Sequence, residues 1–511
     1  MSDGTDGTGG AGGQPREGHP QVEGEPRLLV AGKLVEAQGG GTFENIDPST
    51  EEILGVTADG TAEDMDLAIG AARRAFDDTD WSTNRAFRTK CLAQLHAGLE
   101  KHKEELRQIT VAEVGSPISL TYMNQVDLPI EDLAYWIDKP ESYEYEETLP
   151  DRDVFGQAQR RVVVREAVGV VGAITPWNFP LNLNLAKLGP ALAAGNTVVL
   201  KPAPDTPWSA TFLGRVIAEE TDIPPGVVNI VAASDHLVGE VLTADPRVDM
   251  ITFTGSTVTG RRIMASAAGT VKKVFLELGG KSANIVLDDV DDPGGALGIS
   301  AIGVCTHSGQ GCAIATRLLL PRSRYGEWLD MADQMMGSVT YGDPWDASNL
   351  QGPLINARQR DRVLGYIDSG RDEGATLVRG GGRPARLAKG FFVEPTLFAD
   401  VDPASTIAQE EIFGPVLCVI PYDGDDEAVS IANGTVYGLS AVVTGGTLDH
   451  ANSVARRLRA GTVMVNGGFW NAPDVPFGGY RQSGVGRENG RQGFEEYLET
   501  KALAFPASAA G

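Results

Sequence analysis

The chain has 511 residues, 42% hydrophobic and 22% charged, the balance of an ordinary globular protein too long for one core. A formal net charge of −26 repels phosphate backbones, so nucleic acid is not an expected partner. No apolar run reaches the roughly eighteen residues that would span a bilayer, so no membrane role is expected either.

Residues 1–26 are Gly-rich and lack the apolar stretch of a signal peptide, and are expected to form a disordered tail. Next, "RLLVAGKLVEA" alternates like a pair of strands. "TAEDMDLAIGAARRAF" opens a helix, with Thr61 and Asp64 spaced as a capping box. From about Asn84 a second helix carries Cys91, Leu95 and Leu99 on one stripe, which makes Cys91 a core residue. Residues 143–166, with "YEYEETLP" and "GQAQRRVVVRE", pattern as an exposed hairpin. A hairpin alone is marginal in water, so it is expected to pack against another subunit.

From about 168 to 290, short apolar runs such as "AVGVVGAITPW", "NTVVLKPA" and "VDMITFTGS" each precede a helical pattern. A second such series runs from about 284 to 466, and its "GPVLCVIPY" places Cys418 in a buried strand. No convincing internal repeat is visible. The fold class is α/β, with two consecutive Rossmann-like parallel-sheet domains. "YLETKALAF" adds a lone strand near the end. The four cysteines and six histidines show no metal-ligand spacing, so no metal is expected. So few cysteines fit a reducing compartment, and the chain is expected to be cytoplasmic.

Polar residues interrupt the strands where chemistry could sit. Asn178, between two prolines in "TPWNFP", is either an Asx-turn support or a donor. Lys201 ends the next strand, and Gly255-Ser256 lead from a third strand into a helix. Each has an ordinary structural explanation, yet open α/β sheets bind ligands beyond the carboxyl ends of their strands. Helix N-termini at that edge suit phosphate. No G-x-G-x-x-G occurs at these turns. Glu277 lies in the apolar run before Gly279-Gly280, either salt-bridged or poised as a base. "QEEIFGPV" carries Glu410, Glu411 and Phe413, an acidic turn with an aromatic. In "SGQGCAIATR", Cys312 is either a packed thiol or a nucleophile in an open backbone.

Taken together, "TPWNFP", "KPAPDTP", "FTGST", "LELGGKS", "GQGC", "EEIFGPV" and "PFGGYRQSGVGRENG" resemble the NAD(P)-dependent aldehyde dehydrogenase superfamily in order and spacing, over about residues 28–505. The resemblance implies an NAD(P)-binding domain from 27–142 and 167–278, and a catalytic domain from 279–478. It further implies a small oligomerisation sheet from 143–166 and 479–511, and a homodimer or homotetramer acting on a small aldehyde. Cys312 then resembles the family nucleophile, Glu277 its general base and Asn178 its oxyanion-hole amide, acting with the Cys312 N–H. Lys201 and Glu411 resemble the residues holding the two riboses, Ser256 lies at the pyrophosphate, and Phe413 beside the nicotinamide. Ile174, Thr175, Pro176, Trp177, Gly255 and Leu278 complete the implied cofactor contacts. Such chemistry calls for a thiol of lowered pKa with open access.

Some positions depart from the family pattern. Pro204 stands where many NAD-using members have a glutamate, which leaves NAD favoured but NADP open. Ala232-Ala233 replace frequent glycines. Phe179, Leu183, Ala186, Trp470 and Asn471 are expected along the substrate tunnel, and Ala186 and Asn471 point to a roomier or partly polar pocket. Two alternatives are a CoA-acylating dehydrogenase, against which Glu277 argues, and a non-catalytic protein on the same scaffold, against which the set Asn178, Glu277 and Cys312 argues.

Overall fold

The computed structural model describes residues 19–507. An eight-stranded sheet forms the first layer, and its parallel strands lie in the spatial order Lys273–Glu277, Met250–Thr254, Val170–Ile174, Thr197–Lys201 and Val228–Ile230. The winding direction reverses between Val170–Ile174 and Met250–Thr254. At such a reversal the connections leave toward opposite faces, and a crevice opens beyond the carboxyl ends of the strands. The sheet is not purely parallel, as the strand pattern suggested. Leu28–Val30 and Lys33–Val35 extend one edge antiparallel, and Gly484–Val485 pairs antiparallel at the other.

The second, seven-stranded sheet runs in the order Thr376–Arg379, Thr396–Ala399, Val416–Tyr422, Arg317–Pro321, Ala283–Val286, Ser440–Thr444 and Thr462–Val465. Its first strand is antiparallel and the others are parallel. Both sheets are covered on both faces, so their strands are apolar throughout, with side chains alternating between two cores. Val198 and Leu200 enter one core, and Val199 enters the other. Leu319 and Cys418 likewise oppose Leu318, Leu417 and Val419.

The helix Ala62–Asp78 begins with the expected capping box: Thr61 Oγ1 accepts from the Asp64 N–H, and Asp64 accepts from the Thr61 N–H. In the helix Arg85–Lys101, Cys91, Leu95 and Leu99 are wholly buried. The hairpin Glu146–Val154 and Gln157–Ala167 joins Leu498–Pro506 in a three-stranded antiparallel sheet. Among the described residues 479–507, little else belongs to it. Gly484–Val485 joins the first sheet and Phe494 sinks into that sheet's core, because a backbone without a Cβ at Gly484 can lie flush on Leu276. Among the described residues, no helix is long and apolar enough to cross a membrane.

The expected tail is shorter than 26 residues. Residues 1–18 lie outside the described part, but Glu25 is only 3% exposed and its carboxylate pairs with Arg27. The Glu25 carbonyl accepts from Thr211 Oγ1 at 2.6 Å, and Gly24 sits flat against the Trp208 ring. Docking on the helix Pro207–Glu220 supplies the burial that Gly-rich composition alone did not suggest. Deletion of residues 1–26 should therefore lower Tm by on the order of 5 °C, whereas deletion of 1–18 should not. Differential scanning fluorimetry measures both, and equal melting of the two truncations would contradict the docking.

Candidate active site

The site lies in the cleft where the carboxyl edge of the first sheet faces the second. Each strand end of the first sheet delivers a residue singled out by the sequence. Ile174 ends its strand half-buried, and Thr175 spends its hydroxyl on Asn184 Oδ1 at 2.7 Å, so only its backbone faces the cleft. Pro176 and Trp177 are half-buried, and the Trp177 ring meets Phe413 edge-on at 5.4 Å. That contact ties the first sheet's loop to the second domain.

Asn178 is buried, with its side-chain amide nitrogen and its backbone carbonyl each held by a neighbour. Its Nδ2 donates to the Gln310 carbonyl at 2.8 Å, and its backbone carbonyl accepts from Gln125 Nε2 at 2.9 Å. The amide's second N–H is left for a ligand. Gln310 is fastened in turn: its Oε1 accepts from the Ile355 N–H, and its Nε2 donates to the His307 carbonyl. His307 and Ser308 both adopt left-handed backbone, held by Ser308 Oγ donating to the Gly352 carbonyl at 2.6 Å. Burial pushes His307 down to about 4, so its imidazole is neutral as it packs on Phe179. This over-determined turn delivers Cys312.

Cys312 is half-buried, whereas Cys91, Cys305 and Cys418 are buried. Its carbonyl presses on Gly280, where a Cβ would stand 2.5 Å away. The Cys312 N–H donates to no other residue among those described, so with Asn178 it supplies two free donors beside the thiol. The thiol is not lowered, as the chemistry seemed to require. Burial first, then the charges of Glu277, Glu411 and Glu488, push it well above its ordinary value. A resting thiol in this pocket keeps its proton until a base removes it.

Glu277 is that neighbour. It ends the strand Lys273–Glu277 at 2% exposure, and neither carboxylate oxygen has a hydrogen-bond partner. Gly478 makes the approach possible, since a Cβ there would lie 2.7 Å from Glu277 Oε1. Burial and the charge of Glu488 raise the Glu277 carboxyl well above its usual value, while Lys187 and Arg487 pull it back. The sequence reading missed Lys187 and Glu488. Lys187 is fully buried, and its Nζ donates to Glu488 Oε1 at 2.6 Å across 301 residues of chain. Glu488 is pinned by reciprocal backbone bonds with Phe477. A lysine inside the apolar run "LNLNLAKLGPALAAG" was the available signal.

The remaining residues singled out by the sequence lie at the strand ends and turns of both sheets. Lys201 is 5% exposed, and its Nζ has only the carbonyls of Pro202 and Ala233, each at 3.5 Å. Burial lowers it to about 8, against the pull of Asp235 and Asp59. Gly255 leads into Ser256, which caps the helix Thr257–Ala267 by accepting from the Thr259 N–H. Leu278 is buried beneath Gly260, so it presents backbone rather than side chain. Glu411 Oε1 accepts from the Gly280 N–H at 2.9 Å, and burial raises the carboxyl to about 7. Phe413 takes a left-handed backbone, fixed by Gln359 Nε2 donating to its carbonyl at 2.8 Å. Among the described residues, no group of His, Cys, Asp and Glu could hold a metal ion.

The aldehyde dehydrogenase family model matches residues 34–503. The chain belongs to the aldehyde dehydrogenase family. It is therefore an oxidoreductase of the aldehyde-acting class. A 3-succinoylsemialdehyde-pyridine dehydrogenase of a Pseudomonas species is 43% identical over 485 residues, covering 93% of this chain and 98% of that protein. A Mycobacterium tuberculosis aldehyde dehydrogenase solved with NAD+ is 40% identical with a TM-score of 0.91, covering 96% and 100% of the two chains. A cysteine-to-alanine variant of Pseudomonas syringae aldehyde dehydrogenase C, solved with NAD+ and octanal, is 41% identical with a TM-score of 0.89, covering 96% and 98%.

A protonated resting thiol has a kinetic signature. Without cofactor, iodoacetamide should modify Cys312 at a rate that climbs about tenfold per pH unit from pH 6 to pH 8, as the thiolate fraction does below its pKa. Peptide mass spectrometry locates the adduct. A plateau below pH 7 would mean a low-pKa thiolate and contradict this electrostatic reading.

Proposed function

We propose that the chain oxidises an aldehyde to the carboxylate with NAD+ and water, through a thiohemiacetal and then a thioester on Cys312. The observation that carries this reading is the convergence of three groups: a half-buried thiol, two free donors beside it, and a buried carboxyl with no hydrogen bond of its own. The Cys312 sulfur attacks the carbonyl carbon as its proton passes to Glu277. Oxygen gains negative charge, and the Asn178 amide and Cys312 N–H stabilise it; removing one such donor typically costs about 3 kcal/mol. A bound nicotinamide supplies the hydride acceptor. Glu277 releases the thiol's proton to solvent before it takes one from water as the water attacks the thioester; the tetrahedral adduct then expels the Cys312 thiolate, which regains its proton from Glu277. A raised pKa suits this work, because a base acts best when its pKa lies near the working pH. The Lys187–Glu488 pair gives the proton a neighbouring carboxylate to reach.

Toward the cofactor, Lys201 offers a buried ammonium without a close partner, the group a ribose hydroxyl would satisfy. Ser256 and the helix it caps face a pyrophosphate, and Glu411 faces the second ribose. Trp177 and Phe413 wall the nicotinamide end. NAD+ is favoured over NADP+ because Asp59 and Asp235 act on Lys201 and would repel a 2′-phosphate. Several relatives solved with NAD+ support the same choice. Hydrolysis is favoured over transfer to CoA by Glu277. The three-stranded sheet, whose strands Glu146–Val154 and Leu498–Pro506 are largely exposed, is the surface we assign to self-association in a dimer or tetramer.

The test follows reduced cofactor at 340 nm across aliphatic and aromatic aldehydes, with NAD+ and NADP+ in parallel. The expected result is turnover with higher kcat/KM for NAD+. Cys312→Ala should abolish it while NAD+ still binds by calorimetry. Substantial turnover by Cys312→Ala would overturn the covalent route.

A further inference from the structure

Three elements frame the approach to Asn178 and Cys312. They are the irregular helical turn Thr121–Gln125, the first turn of the helix Pro180–Ala194, and the loop 466–476. Gln125 already touches the Asn178 carbonyl. Its neighbour Asn124 stands at a junction of all three elements. Asn182 Nδ2 donates to the Asn124 carbonyl at 3.2 Å, and Asn471 Nδ2 lies 3.4 Å from Asn124 Oδ1. Three carboxamides therefore meet next to the Gln125 that holds Asn178.

These bonds use a minority of the cluster's capacity. The Asn124 Nδ2, Asn182 Oδ1 and Asn471 Oδ1 atoms have no hydrogen-bond partner among the described residues, and none of the three is sealed from solvent. Because every carboxamide offers both a donor and an acceptor, this surplus survives any exchange of the amide ends. Along the same helix Leu183 and Ala186 give an apolar flank and a small one, and Trp470 stacks on Phe477 at 4.8 Å across the cleft. An alkyl chain laid over the carboxamides would strip their water without replacing its hydrogen bonds, which is unfavourable.

Charge narrows the class further. Thr121–Gln125, the following helix Asp127–Ile137 and the loop 466–476 contain no Lys or Arg, and the one lysine of Pro180–Ala194 is paired with Glu488. Acidic groups do cluster there: Asp132 feels both Glu131 and Asp474. Nothing on these elements would neutralise a substrate carboxylate.

We propose that Asn124, Asn182 and Asn471 determine specificity, selecting aldehydes that carry an uncharged hydrogen-bonding group (a carbonyl, hydroxyl or ring nitrogen) over alkyl aldehydes and over those ending in a carboxylate. Asn182 lies in the first turn of the helix that follows Asn178. This rests on the reading of the chain as an aldehyde-oxidising enzyme, and adds its substrate class.

The test compares kcat/KM for chain-matched aldehydes ending in methyl, in a neutral carboxamide and in a carboxylate, with propanal as a short reference. The carboxamide aldehyde should exceed the alkyl one by roughly tenfold, the usual reach of one hydrogen bond in a site built for it, and the carboxylate should be poorest. In Asn182→Leu, and separately in Asn471→Leu, the ratio of carboxamide to alkyl kcat/KM should fall by about that factor. The ranking in the unaltered protein stands even if one variant folds poorly. Preference for the alkyl or the carboxylate aldehyde would overturn the proposal, as would unchanged ratios in both folded variants. Failure to oxidise any aldehyde, propanal included, would instead overturn the underlying reading of the enzyme and the proposal with it.

Discussion

The structure turns on a carboxyl group left without a hydrogen bond. Glu277 is buried at the end of the strand next to one edge of the first sheet, where an unpaired carboxylate is costly and its pKa rises. Such a group persists because the elements around it are fixed independently. The strand ending at Glu277 is hydrogen-bonded on both sides, by Met250–Thr254 and by Gly484–Val485. The Lys187–Glu488 pair is buried beside it, and removing one partner of such a pair costs about 3–5 kcal/mol. The fold thus keeps a carboxyl raised above its usual range rather than letting a cation quench it.

The same electrostatics govern the nucleophile. Glu277, Glu411 and Glu488 raise the thiol along with burial, so the pocket stores a proton rather than a thiolate. In the proposed route attack and deprotonation are therefore coupled through Glu277, and a protonated Cys312 exposes little reactive thiolate to adventitious electrophiles. The donors, by contrast, need no rearrangement. Asn178 is oriented from both sides, by the Gln310 carbonyl and by Gln125, before any substrate arrives.

Much of this was legible in the sequence, for definite reasons. Apolar runs alternating with helical patterns imply sheets covered on both faces, and polar interruptions such as Asn178, Lys201 and Ser256 fall at strand ends where ligands bind. What escaped depends on distant packing. Lys187 and Glu488 stand 301 residues apart, and neither has a local pattern that names its partner. The direction of the Cys312 shift depends on burial and on three carboxylates from separate segments, so the chemistry implied by the resemblance suggested a lowered thiol instead. Residues 24–26 looked like tail because their burial is supplied by Trp208 and Thr211, not by their own composition. Asn124 and Asn182 became a cluster only when an irregular turn and a helix met.

The central claim is that Glu277 is indispensable to hydrolysis of the thioester. A single-turnover experiment on Glu277→Gln, with rapid quench and absorbance at 340 nm, tests it most directly. The amide keeps the shape but removes the base, so steady turnover should fall by roughly two to four orders of magnitude. A slower first phase should still deliver up to one equivalent of NADH per active site, with the acyl group trapped on Cys312 and detectable by mass. Steady turnover by Glu277→Gln close to that of the unaltered protein, with no acyl-enzyme accumulating, would show that hydrolysis needs no base at 277 and contradict the account.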